Sequence, residues 1–222
     1  GPSRDHTERM LAAAGAQLVA GGNSVSIEGG AELAPLDLTV PGDASAAAFL
    51  LVAGLLLEDS DVTVTDVGVN PTRTGFVEVL REMGGDVTVD ETGREAGEPV
   101  GTIGVRSSQL RAVTVGPERI PGLIDEIPIL AVAATQAEGR TSFMGVRELR
   151  VKESDRANAI ADGLTRLGGR VEVGPDTLTI EGPRATVTGR ATVDEDYDDL
   201  DDDAEVVPAL VSGDITGLDE DA

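Results

Sequence analysis

The feature that most constrains this chain is a repeat. Three segments share one order of events: a helical end, a small-residue break, then a valine-rich strand. They are Arg9-Met-Leu-Ala-Ala-Ala-Gly-Ala-Gln-Leu-Val, Val79-Leu-Arg-Glu-Met-Gly-Gly-Asp-Val-Thr-Val and Leu164-Thr-Arg-Leu-Gly-Gly-Arg-Val-Glu-Val. The small residue falls where a helix wants a left-handed stop. Alternation then replaces the helical period, as at Val87/Val89 and Val171/Val173, and predicts half-buried strands. A further strand follows each time, at Val25–Ile27, Thr102–Val105 and Thr177–Ile180.

A second kind of helix alternates with the first. Ala46–Leu57 and Ile127–Gln136 are almost wholly apolar and are expected to be buried on all sides. Each leads into a short strand, Val62–Val64 or Thr141–Phe143, and each follows an aspartate, Asp43 or Asp125, placed to cap it. The unit is thus βαβαββ, recurring at roughly 80 residues. One unit ends near Gly30, two full ones occupy about 36–108 and 110–182, and a fourth opens near Ala191. Such units predict an α/β fold with buried central helices and mixed sheets outside. Beyond Val193 the pattern dissolves into acidic sequence with one weak apolar island, Val206–Val211, which reads as disordered or frayed.

Charge narrows the function classes. The formal net charge is -24, with 41 acidic against 17 basic residues. Without a basic stripe, nucleic acid and anionic lipid are poor partners. The stretch Asp194–Asp221 holds 13 acids and no base, yet the preceding chain is acidic too, and its bases are arginines with one exception. That pattern reads as salt adaptation in a cytoplasmic protein, with an acidic interaction tail as the competing reading. There is no cysteine and only one histidine, His6, so neither disulfides nor a histidine-built metal site is expected. The acidic run 194–203 lacks the spacing and glycine of a calcium loop. No apolar run is long enough to span a bilayer. The opening Gly1-Pro2-Ser3, without an initiator Met or leader, reads as a fragment.

The exception among the bases is Lys152, the only lysine, in Arg150-Val-Lys-Glu-Ser-Asp-Arg156. An ammonium is a compact point charge, a different tool from a planar guanidinium. Lys152 and Arg156, four residues apart, are expected to share a face in the first turns of a helix running to Leu167. Two cations at a helix N-terminus oppose its dipole unless an anion meets them. The competing reading is a solvated surface on which Glu153 and Asp155 pair the bases. Asp125 reads either as a helix cap or as a general base, with Glu153 as a second carboxylate for divided acid and base work. Arg4 stands before the first helix as a surface ion pair or an anion contact. His6 reads as a surface or cap residue, and Thr72, Arg73 and Thr74 as turn and cap. The glycine pairs 84–85 and 168–169 read as helix stops and not phosphate loops.

Four stretches carry a resemblance: Ser3-Arg-Asp-His-Thr-Glu-Arg-Met-Leu, Val40-Pro-Gly-Asp-Ala-Ser-Ala-Ala-Ala-Phe, Leu123-Ile-Asp-Glu-Ile-Pro and Leu149-Arg-Val-Lys-Glu-Ser-Asp-Arg. In this order, over about residues 1–190, they closely resemble the later half of the EPSP synthase (3-phosphoshikimate 1-carboxyvinyltransferase) family. The resemblance implies an inverse β-prism built of βαβαββ units in two domains. Residues 1–39 would complete the first domain, 40–190 form part of the second, and 191–222 be an acidic tail.

It also implies a reaction without metal or organic cofactor. The enolpyruvyl group of phosphoenolpyruvate passes to the 5-hydroxyl of shikimate 3-phosphate, in aromatic amino-acid biosynthesis. By position, Asp125 would be the base near the 5-hydroxyl and Glu153 would move protons at the methylene carbon. Arg4 and Lys152 would contact shikimate 3-phosphate, and Arg156 the phosphoenolpyruvate. The full-length enzyme is expected to be a cytoplasmic monomer.

The sequence departs from the family in lacking its first part and the Gly-Asp-His-Arg motif expected after Val193, where Asp194-Glu-Asp-Tyr-Asp-Asp stands. This chain alone is therefore expected to be inactive. Two alternatives stay open: a UDP-N-acetylglucosamine enolpyruvyl transferase, which shares the fold but usually carries a reactive cysteine, and a remnant without catalysis.

Overall fold

The helix stops of the three repeated segments are alike in atomic detail. In the computed structural model, which describes residues 4–22, 24–150 and 155–182, the helices His6–Ala13 (α1), Gly75–Glu82 (α3) and Arg156–Arg166 (α5) all end on a glycine at positive φ. The amide of the next residue then reaches back to a carbonyl in the helix's last turn: Ala16 to Leu11, Gly85 to Leu80 and Gly169 to Leu164, each at 2.9 Å. This closure satisfies orphan carbonyls and needs a left-handed residue, which glycine adopts without a Cβ penalty. The chain turns there into the strands Leu18–Gly21 (β1), Asp86–Glu95 (β4) and Arg170–Val173 (β8). The glycine pairs are stops, as expected.

The remaining elements complete two copies of the unit. The first contains Ala44–Leu56 (α2), Asp61–Gly68 (β3), α3, β4 and Glu98–Arg106 (β5). The second contains Thr114–Val115 (β6), Ile127–Gln136 (α4), Arg140–Met144 (β7), α5, β8 and Thr177–Glu181 (β9). Ser24–Ile27 (β2) pairs with β1 as an antiparallel ribbon. Both larger sheets have one connectivity. Their orders are β3-β5-β4 and β6-β7-β9-β8, with β6 parallel to β7 and every other pair antiparallel. The counterpart of β6 in the first unit is reduced to a parallel bridge, Gly42 to Val67. The repeat is thus a repeat of topology.

The helices α2 and α4 pack on each other and against the sheets, burying Leu51, Leu55, Leu130 and Ala134 with Phe76, Leu80, Phe143 and Ile180. Gly54 lets α2 lie close on the first sheet: a Cβ there would stand 2.8 Å from Val105 Cγ2 and 3.0 Å from Val62 Cβ. The expectation that both helices are buried all round holds better for α4 than for α2. Ala46, Leu50 and Ala53 are exposed, Leu50 to 60%. They fall at i, i+4 and i+7, one face of the helix. A uniformly apolar helix carries no internal signal of which face its neighbours will cover.

Beyond the expected strands at Val87/Val89 and Thr102–Val105, β4 and β5 extend into a hairpin through residues 90–101, which alternation did not predict. Its tip, Ala96-Gly97, has φ values of 48° and 83°, the both-positive form that matches strand twist in a two-residue hairpin. Among the described residues no helix is long and apolar enough to cross a membrane. The expected tail 191–222 lies outside the described residues.

Candidate active site

Asp125 sits between the 3-10 turn Ile120–Gly122 and α4, a helix that carries proline, needing no N–H, in its first turn. The expected cap role is not what it performs. The capping position belongs to Glu126, whose side chain makes no capping hydrogen bond. Asp125 points to other partners. An Arg4 Nη2–H donates to Asp125 Oδ2, and Arg156 Nη1 lies 3.9 Å from Oδ1. Arg4 comes from 121 residues upstream, just before Asp5, the residue ahead of α1. Arg156 is the first residue of α5. Asp43, by contrast, caps α2 as expected, accepting from the Ser45 amide at 3.1 Å.

The start of α5 is set by its own cap. Asp155 is its cap, accepting from the Asn158 amide at 3.1 Å and from Asn158 Nδ2 at 2.8 Å. Its ψ of 81° ends helical geometry there. The helix therefore starts at Arg156, and the expectation that Lys152 shares a face with it falls on a residue outside the described ones. Glu153 lies outside them too. Arg150, which ends the 3-10 turn Val146–Arg150, places Nε 3.6 Å from Asp155 Oδ2. A cation at a helix N-terminus is disfavoured by the dipole. At Arg156 the carboxylate of Asp125 offsets this. All three side chains of the Arg4–Asp125–Arg156 cluster are partly exposed, so the pairing contributes no more than about 1 kcal/mol and is free to exchange partners.

Behind Asp125 lies a polar node that the sequence reading missed. Glu126 is only 3% exposed, and its carboxylate accepts from Ser45 Oγ. Arg73 Nη2 donates to Ser45 Oγ at 2.6 Å and to Asp43 Oδ1 at 2.9 Å. Burial pushes the Glu126 carboxyl above its ordinary range, while the Ser45 hydrogen bond and Arg73 oppose the rise. The node ties the entrances of α2 and α4 together and holds the backbone from which Asp125 projects. Arg73, read as a turn residue, has a side chain only 17% exposed. The available signal was an acid, Glu126, adjoining an otherwise apolar helix, where a buried partner is required.

His6, read as a surface or cap residue, places Nδ1 2.8 Å from Glu98 Oε1. Among the described residues no group of three or more His, Cys, Asp or Glu could hold a metal ion.

Comparison with known proteins identifies the family. The family model for EPSP synthase (3-phosphoshikimate 1-carboxyvinyltransferase) matches residues 1–200. The 3-phosphoshikimate 1-carboxyvinyltransferase of Sphingopyxis alaskensis is 50% identical over 198 residues, covering 86% of this chain and 44% of that protein. That of Gloeobacter violaceus is 48% identical over 195 residues, covering 88% and 45%. Among solved structures, an EPSP synthase from Acinetobacter baumannii superposes with a TM-score of 0.78 at 44% identity, over 82% of this chain and 41% of that one. The enolpyruvyl transferase NikO from Streptomyces tendae shares the fold, with a TM-score of 0.58 at 24% identity. The chain spans less than half the length of the curated relatives it matches. With the family model covering most of its length and the α/β fold of the enolpyruvyl transferases in its repeated units, the chain belongs to the EPSP synthase family.

Proposed function

We propose that this chain supplies the later half of an EPSP synthase active site, in a cytoplasmic enzyme acting on two small anions. Residues 1–39 would complete one domain and residues 40–190 form most of the next. The observation that carries the reading is the convergence of Arg4 and Arg156 on Asp125 from distant points of the chain. Two guanidiniums that meet around a carboxylate form a site for a phosphate or carboxylate group.

In the proposed reaction Arg4 and Lys152 hold shikimate 3-phosphate, and Arg156 holds phosphoenolpyruvate. Substrate anions take over the two guanidiniums and free Asp125 to accept the proton of the 5-hydroxyl. That oxygen bonds to C2 of phosphoenolpyruvate while Glu153 delivers a proton to C3, giving a tetrahedral adduct. Removal of a C3 proton by Glu153, with departure of phosphate from C2, forms the enol ether. No step calls for a metal or an organic cofactor. Charge partly neutralised by the arginines lowers the barrier where the adduct is most anionic.

Calorimetry of this chain in high salt, with shikimate 3-phosphate alone and with phosphoenolpyruvate added, tests the reading. Binding that is lost in Lys152→Ala supports it. Absence of any binding would sink the idea of an intact site in this chain, and near-normal affinity in Lys152→Ala, set in the full-length enzyme, would refute the role assigned to Lys152.

A further inference from the structure

Helix α1 is the least anchored helix of the described residues. It has eight residues and none of them is buried. A helix this short does not persist on its own in water. Yet it must be held in place for Arg4, just ahead of it, to reach Asp125. What holds it is polar.

Asn70, 1% exposed, is the centre of that contact. Its Nδ2 donates to Asp5 Oδ1 at 2.7 Å and to Glu98 Oε2 at 2.9 Å. Its Oδ1 accepts from the Thr72 amide at 2.9 Å and the Thr72 hydroxyl at 2.8 Å, which fixes the amide's orientation. Around it, Arg9 Nη2 meets Asp5 Oδ2 at 2.8 Å and Arg9 Nη1 donates to the Gly97 carbonyl at 3.3 Å. His6 Nδ1 meets the other Glu98 oxygen. The Asp5 carboxyl is held down at about 2, chiefly by its hydrogen bond to Arg9, so it is ionised at neutral pH. Two carboxylates, Asp5 and Glu98, thus face one buried amide. Only a side chain with two N–H groups on one side and an acceptor on the other satisfies all of these at once.

We infer that Asn70 is a positioning residue: its amide clamps Asp5, at the start of α1, to Glu98 of β5, and this clamp keeps Arg4 within reach of Asp125. The clamp owes nothing to a bound substrate. Its test needs none, so its failure and failure of the proposed function are told apart.

The decisive variant is Asn70→Asp. It keeps the acceptor toward Thr72 and the shape of the side chain, but sets a third carboxylate against Asp5 and Glu98. Amide hydrogen exchange on the isotope-labelled 222-residue chain reads the result. In the parent, α1 amides such as that of Arg9, bonded to the Asp5 carbonyl, exchange slowly. In Asn70→Asp they exchange faster by about tenfold or more, the loss expected for a hydrogen bond to a charged group. The β5 amides keep their rates.

Asp5→Ala removes the carboxylate that the amide clamps without touching the Asn70 turn, and it speeds the same amides; it decides the matter if Asn70→Asp loosens the whole fold. The second readout is the Arg4 side-chain nitrogen resonance. It shifts on Asp125→Asn in the parent, and in the Asn70→Asp background that response disappears. Unprotected α1 amides in the parent, unchanged rates in both variants, or an Arg4 response that survives Asn70→Asp would each overturn the inference.

Discussion

Ser45→Ala probes the node behind Asp125 with one atom removed. Ser45 Oγ donates to Glu126 and accepts from Arg73, while its backbone amide stays available to the Asp43 cap. Losing a hydrogen bond to a charged group costs about 1.5–3 kcal/mol, and Glu126 is too buried for water to replace it freely. Alanine's better helix propensity returns about 0.5 kcal/mol in the first turn of α2. The net expectation is a loss of about 1–2.5 kcal/mol, read from urea unfolding at pH 7 and constant high salt.

The loss depends on pH, with a defined sign. Burial raises the Glu126 carboxyl above its unfolded value of 4.5, so the folded state keeps a proton that the unfolded chain has released. Stability from this group is therefore full below pH 4.5 and declines as pH rises through the raised folded value. The Ser45 hydrogen bond opposes that rise, so Ser45→Ala deepens the decline. The gap between parent and variant widens from pH 4 to pH 7. A gap below about 0.5 kcal/mol at pH 7, the range of ordinary surface substitutions, or one that narrows with rising pH, would refute the node.

Two further predictions concern the frame that carries the site. Gly54→Ala gains about 1 kcal/mol of helix propensity but forces a Cβ against Val62 and Val105, an overpacking cost of about 1–3 kcal/mol. The net is a loss, seen as a lower midpoint in thermal unfolding; a gain would mean that α2 does not lie on β3 and β5. Ala96→Asn relieves an L-residue held at φ 48°, since asparagine tolerates the left-handed region. It should stabilise the chain by about 0.5–1 kcal/mol, measured by calorimetry, and a loss would contradict the hairpin tip.

The order of elements was legible because each change of period is local. A glycine or alanine closes a helix, alternating valines open a strand, and both signals sit within a dozen residues. The exposed face of α2 was not legible, because a helix apolar on every side leaves the choice to neighbours distant in sequence. The same limit explains Asp125 and Glu126. Two acids stand side by side before α4, and capping rules alone assign the first to the helix. The structure gives the capping position to Glu126 but turns its carboxyl inward to Ser45, and leaves Asp125 to Arg4 and Arg156.

Neither acid caps the helix, although at the start of α2 Asp43 does. Equivalent points of one repeat therefore follow the local rule in the first unit and break it in the second. A sequence that is consistent at one copy and inconsistent at the other has turned Glu126 to packing the two helices together and left Asp125 for something besides capping. That asymmetry is an independent reason, apart from any resemblance, to look for the chemistry at Asp125.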